Sequence, residues 1–124
     1  MNILITGGAG YIGSHVLKAL LETQKHNISV IDNLYSGSKN AIETLQNIAK
    51  FDFFECDLSN LDQIDQILSS KKIEAIIHFA AFIEVFESMN NPLKYYLNNT
   101  ANAANLINLA IKNGVSKFIF IITF

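Results

Sequence analysis

Asn2-Ile3-Leu4-Ile5-Thr6-Gly7-Gly8-Ala9-Gly10-Tyr11-Ile12-Gly13-Ser14-His15 opens the chain with an apolar run that stops abruptly at a glycine cluster. Ile3-Leu4-Ile5 is too short for a helix and reads as a buried strand. Glycines recur at positions 7, 10 and 13, and an apolar stretch of helical period follows them. Strand, glycine turn and helix in this order form the cradle that a dinucleotide pyrophosphate needs. Lacking a Cβ, Gly7 turns the chain sharply off the strand. Gly10 lets the main chain approach the phosphates, and Gly13 lets the helix pack against the sheet. The N–H groups and positive dipole end of that helix then face the anion.

Outward from this stretch, a second apolar run, Ile28-Ser29-Val30-Ile31, ends in Asp32. That acid stands about twenty residues past the glycines, where a carboxylate accepts hydrogen bonds from an adenosine ribose. Between the two runs, Val16, Leu17, Leu20 and Leu21 give the first helix one apolar face. Asn33 to Asn40 is a turn-rich loop of the kind that lines a ligand, and Ala41, Ile42, Leu45 and Ile48 mark a second helix. A third strand, Phe51 to Cys56, closes on Asp57-Leu58. Ser59 with Asp62 reads as a capping box for a third helix whose face is Leu61, Ile64, Ile67 and Leu68. The fourth strand is Ile73 to Phe79, followed by a loop from Ala80 to Asn91. Pro92 opens a long helix through Ile111, with Leu97, Ala101, Ala104 and Ile111 expected on its packed face and Asn113-Gly114 as its stop. Phe118 to Phe124 is the fifth apolar run.

Strands alternating with helices at this spacing predict an α/β fold, a Rossmann-type doubly wound parallel sheet of strand order 3-2-1-4-5. Its ligand crevice falls at the carboxyl ends of strands 1 and 4, where the glycines, Asp32, Asp57 and Phe79-Ala80-Ala81 converge. The sheet is expected to be incomplete at its C-terminal edge, where Phe118 to Phe124 invites self-association by edge pairing.

Composition narrows the function classes. A length of 124 residues, 50% of them hydrophobic, suits one domain with a true core. A net charge of −2 leaves no electrostatic footprint for nucleic acid or acidic membranes. No run is long enough to cross a bilayer and no signal peptide precedes the first strand, so a cytoplasmic location is expected. Cys56 is the single cysteine and reads as a small buried hydrophobe. His15, His26 and His78 are too scattered for a metal site, and His78 reads as a packed core histidine. Asp62 and Asp65 read as the solvent face of a helix.

Thr6-Gly7-Gly8-Ala9-Gly10-Tyr11-Ile12-Gly13-Ser14, Asp32-Asn33, Asp57-Leu58, His78-Phe79-Ala80-Ala81, Glu87-Ser88 and Pro92-Leu93-Lys94-Tyr95-Tyr96-Leu97-Asn98-Asn99 together resemble the extended short-chain dehydrogenase/reductases. Within that family they look most like its UDP-hexose 4-epimerases. The resemblance runs from residue 1 to about 120 and implies NAD as the cofactor. Tyr11 and Ile12 would offer backbone N–H groups to the pyrophosphate. Asp32, Asn33 and Ser36 would hold the adenosine ribose, and Asp32 would repel the 2′-phosphate of NADP. Asp57 and Leu58 would contact the adenine, Phe79, Ala80 and Ala81 would run beside the ribose and pyrophosphate, and Asn98 would reach the cofactor from the long helix. In the family, hydride leaves sugar C4, the 4-keto sugar turns over, and the hydride returns to the other face.

Departures from the family pattern stand beside the likeness. Thr123 falls in the column of the catalytic hydroxyl, although it also reads as an ordinary strand threonine. No Tyr-Xaa-Xaa-Xaa-Lys motif is expected anywhere in the chain, and Tyr95 and Tyr96 do not replace it, since neither has a lysine four residues later. Ile83 and Phe86 stand where many relatives have a lysine and a glycine. The chain therefore reads as residues 1–124 of an NAD-binding domain without a substrate domain, inactive on its own. Two further readings remain: a stand-alone dinucleotide-binding module without catalysis, and part of a related sugar-nucleotide dehydratase or reductase.

Overall fold

The computed structural model describes residues 1–35, 37–79 and 90–121. In chain order the elements are β1 (Asn2–Thr6), α1 (Tyr11–Thr23), β2 (Asn27–Asp32), α2 (Lys39–Ile48), β3 (Asp52–Glu55), α3 (Leu61–Ser70) and β4 (Ala75–His78). After them come α4 (Pro92–Tyr95), a π-helical turn (Tyr96–Ala101), α5 (Asn102–Lys112) and β5 (Lys117–Phe120). The strands form one parallel sheet of order β3-β2-β1-β4-β5, the Rossmann-type order expected. Thr6 lies opposite Ile31 on one side and His78 on the other, so the carboxyl ends of the three central strands are level.

Both faces of β1 are covered, which is why it is apolar without alternation. Ile3 and Ile5 join Ile28 and Val30 under Leu17 and Leu21 of α1 and Ile42 and Leu45 of α2. Leu4 points the other way, with Ile31 and Ile76, under Ile64, Ile67 and Leu68 of α3 and Leu106 and Ala110 of α5. No helix among the described residues is long and apolar enough to cross a membrane.

Four local expectations are corrected. Ser59 does not cap α3: its N–H and hydroxyl both donate to Asp57 Oδ1, at 2.9 and 2.8 Å. Asn60 takes the cap instead, accepting from the Gln63 N–H at 3.3 Å and donating to Gln63 Oε1 at 3.2 Å. The helix from Pro92 is not one α-helix, because the π-helical turn interrupts it. Nor does the expected face pack: Leu97 and Ile111 are exposed, and Ala103, Leu106 and Ala110 are buried. Asp65 does more than face solvent, since it accepts hydrogen bonds from Lys112 Nζ at 2.9 Å and Asn113 Nδ2 at 2.8 Å, pinning the end of α5 to α3. Cys56 is buried as expected, and that burial, then the Asp57 charge, pushes its thiol pKa up, away from nucleophile chemistry.

Candidate cofactor site

The glycine turn is built by backbone geometry that side chains would forbid. Gly7 has φ +79°, and its N–H donates to the Ile31 carbonyl at 2.8 Å. At Gly13 an added Cβ would stand 2.1 Å from the Gly7 carbonyl oxygen, so only glycine lets α1 begin this close to β1. At Gly10 a Cβ would meet nothing of the chain nearer than 3.4 Å, which leaves the space beside it open to a ligand. α1 has no side-chain cap and no acid in its first turn, whereas Ser38 caps α2 and Asn60 caps α3. The first-turn N–H groups, those of Tyr11 and Ile12 among them, have no acceptor within the helix and suit an anion.

Asp32 ends β2 beside this turn and is 8% exposed. Its Oδ2 accepts from the Ala9 N–H at 3.0 Å and its Oδ1 from the Leu34 N–H at 2.7 Å. The carboxylate thus locks the glycine turn to β2, and each oxygen keeps a lone pair for a sugar hydroxyl. Leu34 holds a left-handed φ of 60°, turning the chain into the following loop. Asn33 Nδ2 donates to Asp57 Oδ2 at 3.1 Å, joining the ends of β2 and β3. The Ser59 backbone N–H, then the Asn33 amide, hold the Asp57 carboxyl below the usual carboxylate range. Leu58 is buried in the core shared with α3, so its backbone is what it offers a ligand.

Phe79 leaves β4 at the same edge, its N–H shared between the Thr6 carbonyl at 2.8 Å and Thr6 Oγ1 at 3.2 Å. That Thr6 hydroxyl also lies 2.6 Å from His78 Nδ1. Nε2 is buried without a partner among the described residues, and desolvation pushes the His78 pKa down to about 4. The ring stacks on Phe120, with centroids 5.1 Å apart, so this core histidine fastens β1, β4 and β5 together.

Gly7, Gly10, Gly13, Tyr11, Ile12, Asp32, Asn33, Asp57, Leu58 and Phe79 therefore share one end of the sheet. Asn98 lies on the π-helical turn, and its side chain is outside the described part. Ser36, Ala80, Ala81 and Thr123 lie outside the described residues. Sequence reasoning passed over Ala9 and Gly37. A Cβ on Gly37 would stand 2.7 Å from the Ala9 Cβ, and the Ser38 N–H donates to the Ala9 carbonyl at 3.1 Å. The signal was a glycine inside the 33–40 loop, marking close approach of two backbones.

One expectation about catalysis is also corrected. Tyr35 and Lys39 do stand at the Tyr-Xaa-Xaa-Xaa-Lys spacing. Tyr35 is in the loop after β2 and Lys39 opens α2, so the pair does not share a helix face, and it lies beside Asp32 instead of after β5.

The NAD dependent epimerase/dehydratase family model matches residues 3–123. The UDP-glucose 4-epimerase of Bacillus subtilis (strain 168) is 43% identical over 122 residues, 97% of this chain and 36% of that protein. Among solved structures, the UDP-Glc/GlcNAc 4-epimerase of Campylobacter jejuni superposes with a TM-score of 0.92 at 57% identity, over 96% of this chain and 36% of that one. The UDP-glucose 4-epimerase of Brucella ovis in complex with NAD gives 0.84 at 35% identity, over 96% of this chain and 34% of that one. The chain spans about a third of the length of these relatives. A match that begins in β1 and runs past β5, over a parallel sheet whose glycine turn leaves room for a pyrophosphate, makes this chain a member of the NAD dependent epimerase/dehydratase family, with NAD the cofactor its site fits.

Proposed function

We propose that residues 1–124 are the NAD-binding domain of a UDP-glucose/UDP-galactose 4-epimerase. The observation that carries this reading is Asp32, a nearly buried carboxylate fixed by two backbone N–H groups at the mouth of the glycine turn. Its charge favours ribose hydroxyls and disfavours a 2′-phosphate. Tyr11 and Ile12 hold the pyrophosphate through their N–H groups. Asp32, Asn33 and Ser36 hold the adenosine ribose, and Asp57 and Leu58 flank the adenine. Phe79, with Ala80 and Ala81 after it in sequence, serves the ribose and pyrophosphate in this reading, and Asn98 is a further cofactor contact. When bound, NAD supplies an acceptor for the hydride of sugar C4 and a donor for its return.

A UDP-hexose is the substrate in this reading, and Thr123 is the hydroxyl that assists proton removal at its 4-hydroxyl. No Tyr-Xaa-Xaa-Xaa-Lys follows β5 within the sequence, so the 124-residue chain alone binds cofactor without turnover. A reducing, cytoplasmic setting suits the free, buried Cys56. Ile119 and Phe120, exposed on β5, mediate self-association of the isolated chain, read by light scattering as a mass that rises with concentration. A concentration-independent monomer contradicts that association.

A chimera tests the enzymatic reading. Residues 1–124 replace the matching third of the Bacillus subtilis UDP-glucose 4-epimerase, and UDP-galactose to UDP-glucose conversion is followed by coupled NAD reduction. Turnover above background, reduced at least about tenfold by Asp32→Ala, is expected. A folded chimera that retains NAD and shows no turnover contradicts the proposal.

A further inference from the structure

One contact spans the site from side to side. Lys94 Nζ of α4 lies 4.3 Å from the centroid of the Tyr35 ring and also donates a hydrogen bond to the Tyr35 hydroxyl. Tyr35 belongs to the loop that follows β2, and Lys94 to the helical turn that follows β4. β1 lies between those two strands, so the bridge passes the carboxyl end of β1, where the glycine turn begins. It also joins layers. The Tyr35 loop leads into α2 on one face of the sheet, and α4 leads through the π-helical turn into α5 on the other. Tyr35 is set in place by its own N–H, which donates at 2.9 Å to Asn33 Oδ1, while the same Asn33 side chain holds Asp57.

Resting on the NAD-site reading, we infer that Lys94 and Tyr35 form a clasp across the mouth of the dinucleotide groove, slowing release of bound cofactor by tying its adenosine-side loop to α4. Neither residue is assigned a cofactor contact here; both act as positioning residues through each other. A lysine bonded to a tyrosine hydroxyl at an exposed position is a weak bond, strong enough to set a release rate and weak enough to open.

Stopped-flow release of NADH, displaced by excess NAD from the 124-residue chain, tests the clasp. Lys94→Ala and Tyr35→Leu are each expected to speed release about fivefold. The double variant should be no faster than either single one, and Lys94→Arg, which keeps a cationic donor for the Tyr35 hydroxyl, should stay near the parent rate. Urea midpoints of all four variants should match the parent, separating the clasp from a general loss of stability. Release unchanged in the single variants, or additive effects in the double, overturns the clasp, because each side chain then acts on the cofactor alone or not at all. A folded parent chain that fails to bind NADH removes the NAD-site reading and the clasp with it.

Discussion

At the scale of single residues, His78 shows how a polar side chain is held neutral inside an apolar sheet. Its Nδ1 is hydrogen-bonded to the Thr6 hydroxyl, its ring stacks on Phe120, and burial makes protonation costly, with a native pKa of about 4 against 6.5 for the free side chain. The unfolded chain therefore binds the histidine proton more tightly than the native one. This contribution to stability is complete above about pH 6.5 and is lost as the pH falls toward the native value near 4. The expected loss is about 3 kcal/mol between pH 7 and pH 4. Urea unfolding midpoints across that range should fall in the parent, and His78→Gln should flatten the part above pH 5. Asp57 adds a separate loss at lower pH, since its native pKa lies below the ordinary carboxylate value. A midpoint independent of pH between 7 and 5 would mean that His78 is not held neutral. The sequence made His78 legible as a core residue but not as the partner of Thr6. That pairing depends on the register of β1 against β4, which no local pattern carries. Gly7 and Gly13 were legible because their reason is local: one needs a positive φ, and the other abuts the turn six residues before it.

At the scale of elements, α5 is where reading by period chose the wrong face. Leu106, Leu109 and Ala110 stand on one side and Ile107 and Ile111 on the other, so the apolar pattern alone does not select which side packs. The π-helical turn before it widens the helix by about one residue, shifting the phase carried forward from Leu97 by about 100°. Packing decides the matter: Leu106 is fully buried against α3 and Ile111 is 70% exposed. Leu106→Ala should therefore cost about 2–5 kcal/mol, while Ile111→Ala should stay within about 0.5 kcal/mol of the parent. Equal losses in urea denaturation would return the helix to the face that the sequence suggested. The α3 cap failed for a different reason. Ser59 had the right chemistry, but α3 starts at Leu61, which puts Asn60 at the cap position and leaves Ser59 one residue outside it, turned back onto the Asp57 carboxylate.

At the scale of the whole molecule, strand order was legible because few topologies survive the physical rules. Short parallel strands joined by helices require right-handed crossovers, and a glycine turn after the first strand puts that strand at the centre. The order β3-β2-β1-β4-β5 follows, and with it the meeting of Gly7, Asp32, Asp57 and Phe79 at one end of the sheet. What the order does not convey is how the two sides of that end are joined. The bonds of Asp32 to the Ala9 N–H and of Lys94 to Tyr35 belong to loops whose paths no period encodes. The same architecture leaves Ile119 and Phe120 of β5 exposed among the described residues, consistent with the edge pairing proposed above.

The central claim is that this end of the sheet binds NAD through Asp32, and calorimetric titration of the purified chain tests it directly. The parent should bind NAD with one site, bind NADP at least about tenfold more weakly, and lose most of its NAD affinity in Asp32→Ala. Equal affinity for the two dinucleotides, or an Asp32→Ala variant that binds as well as the parent, would contradict the account.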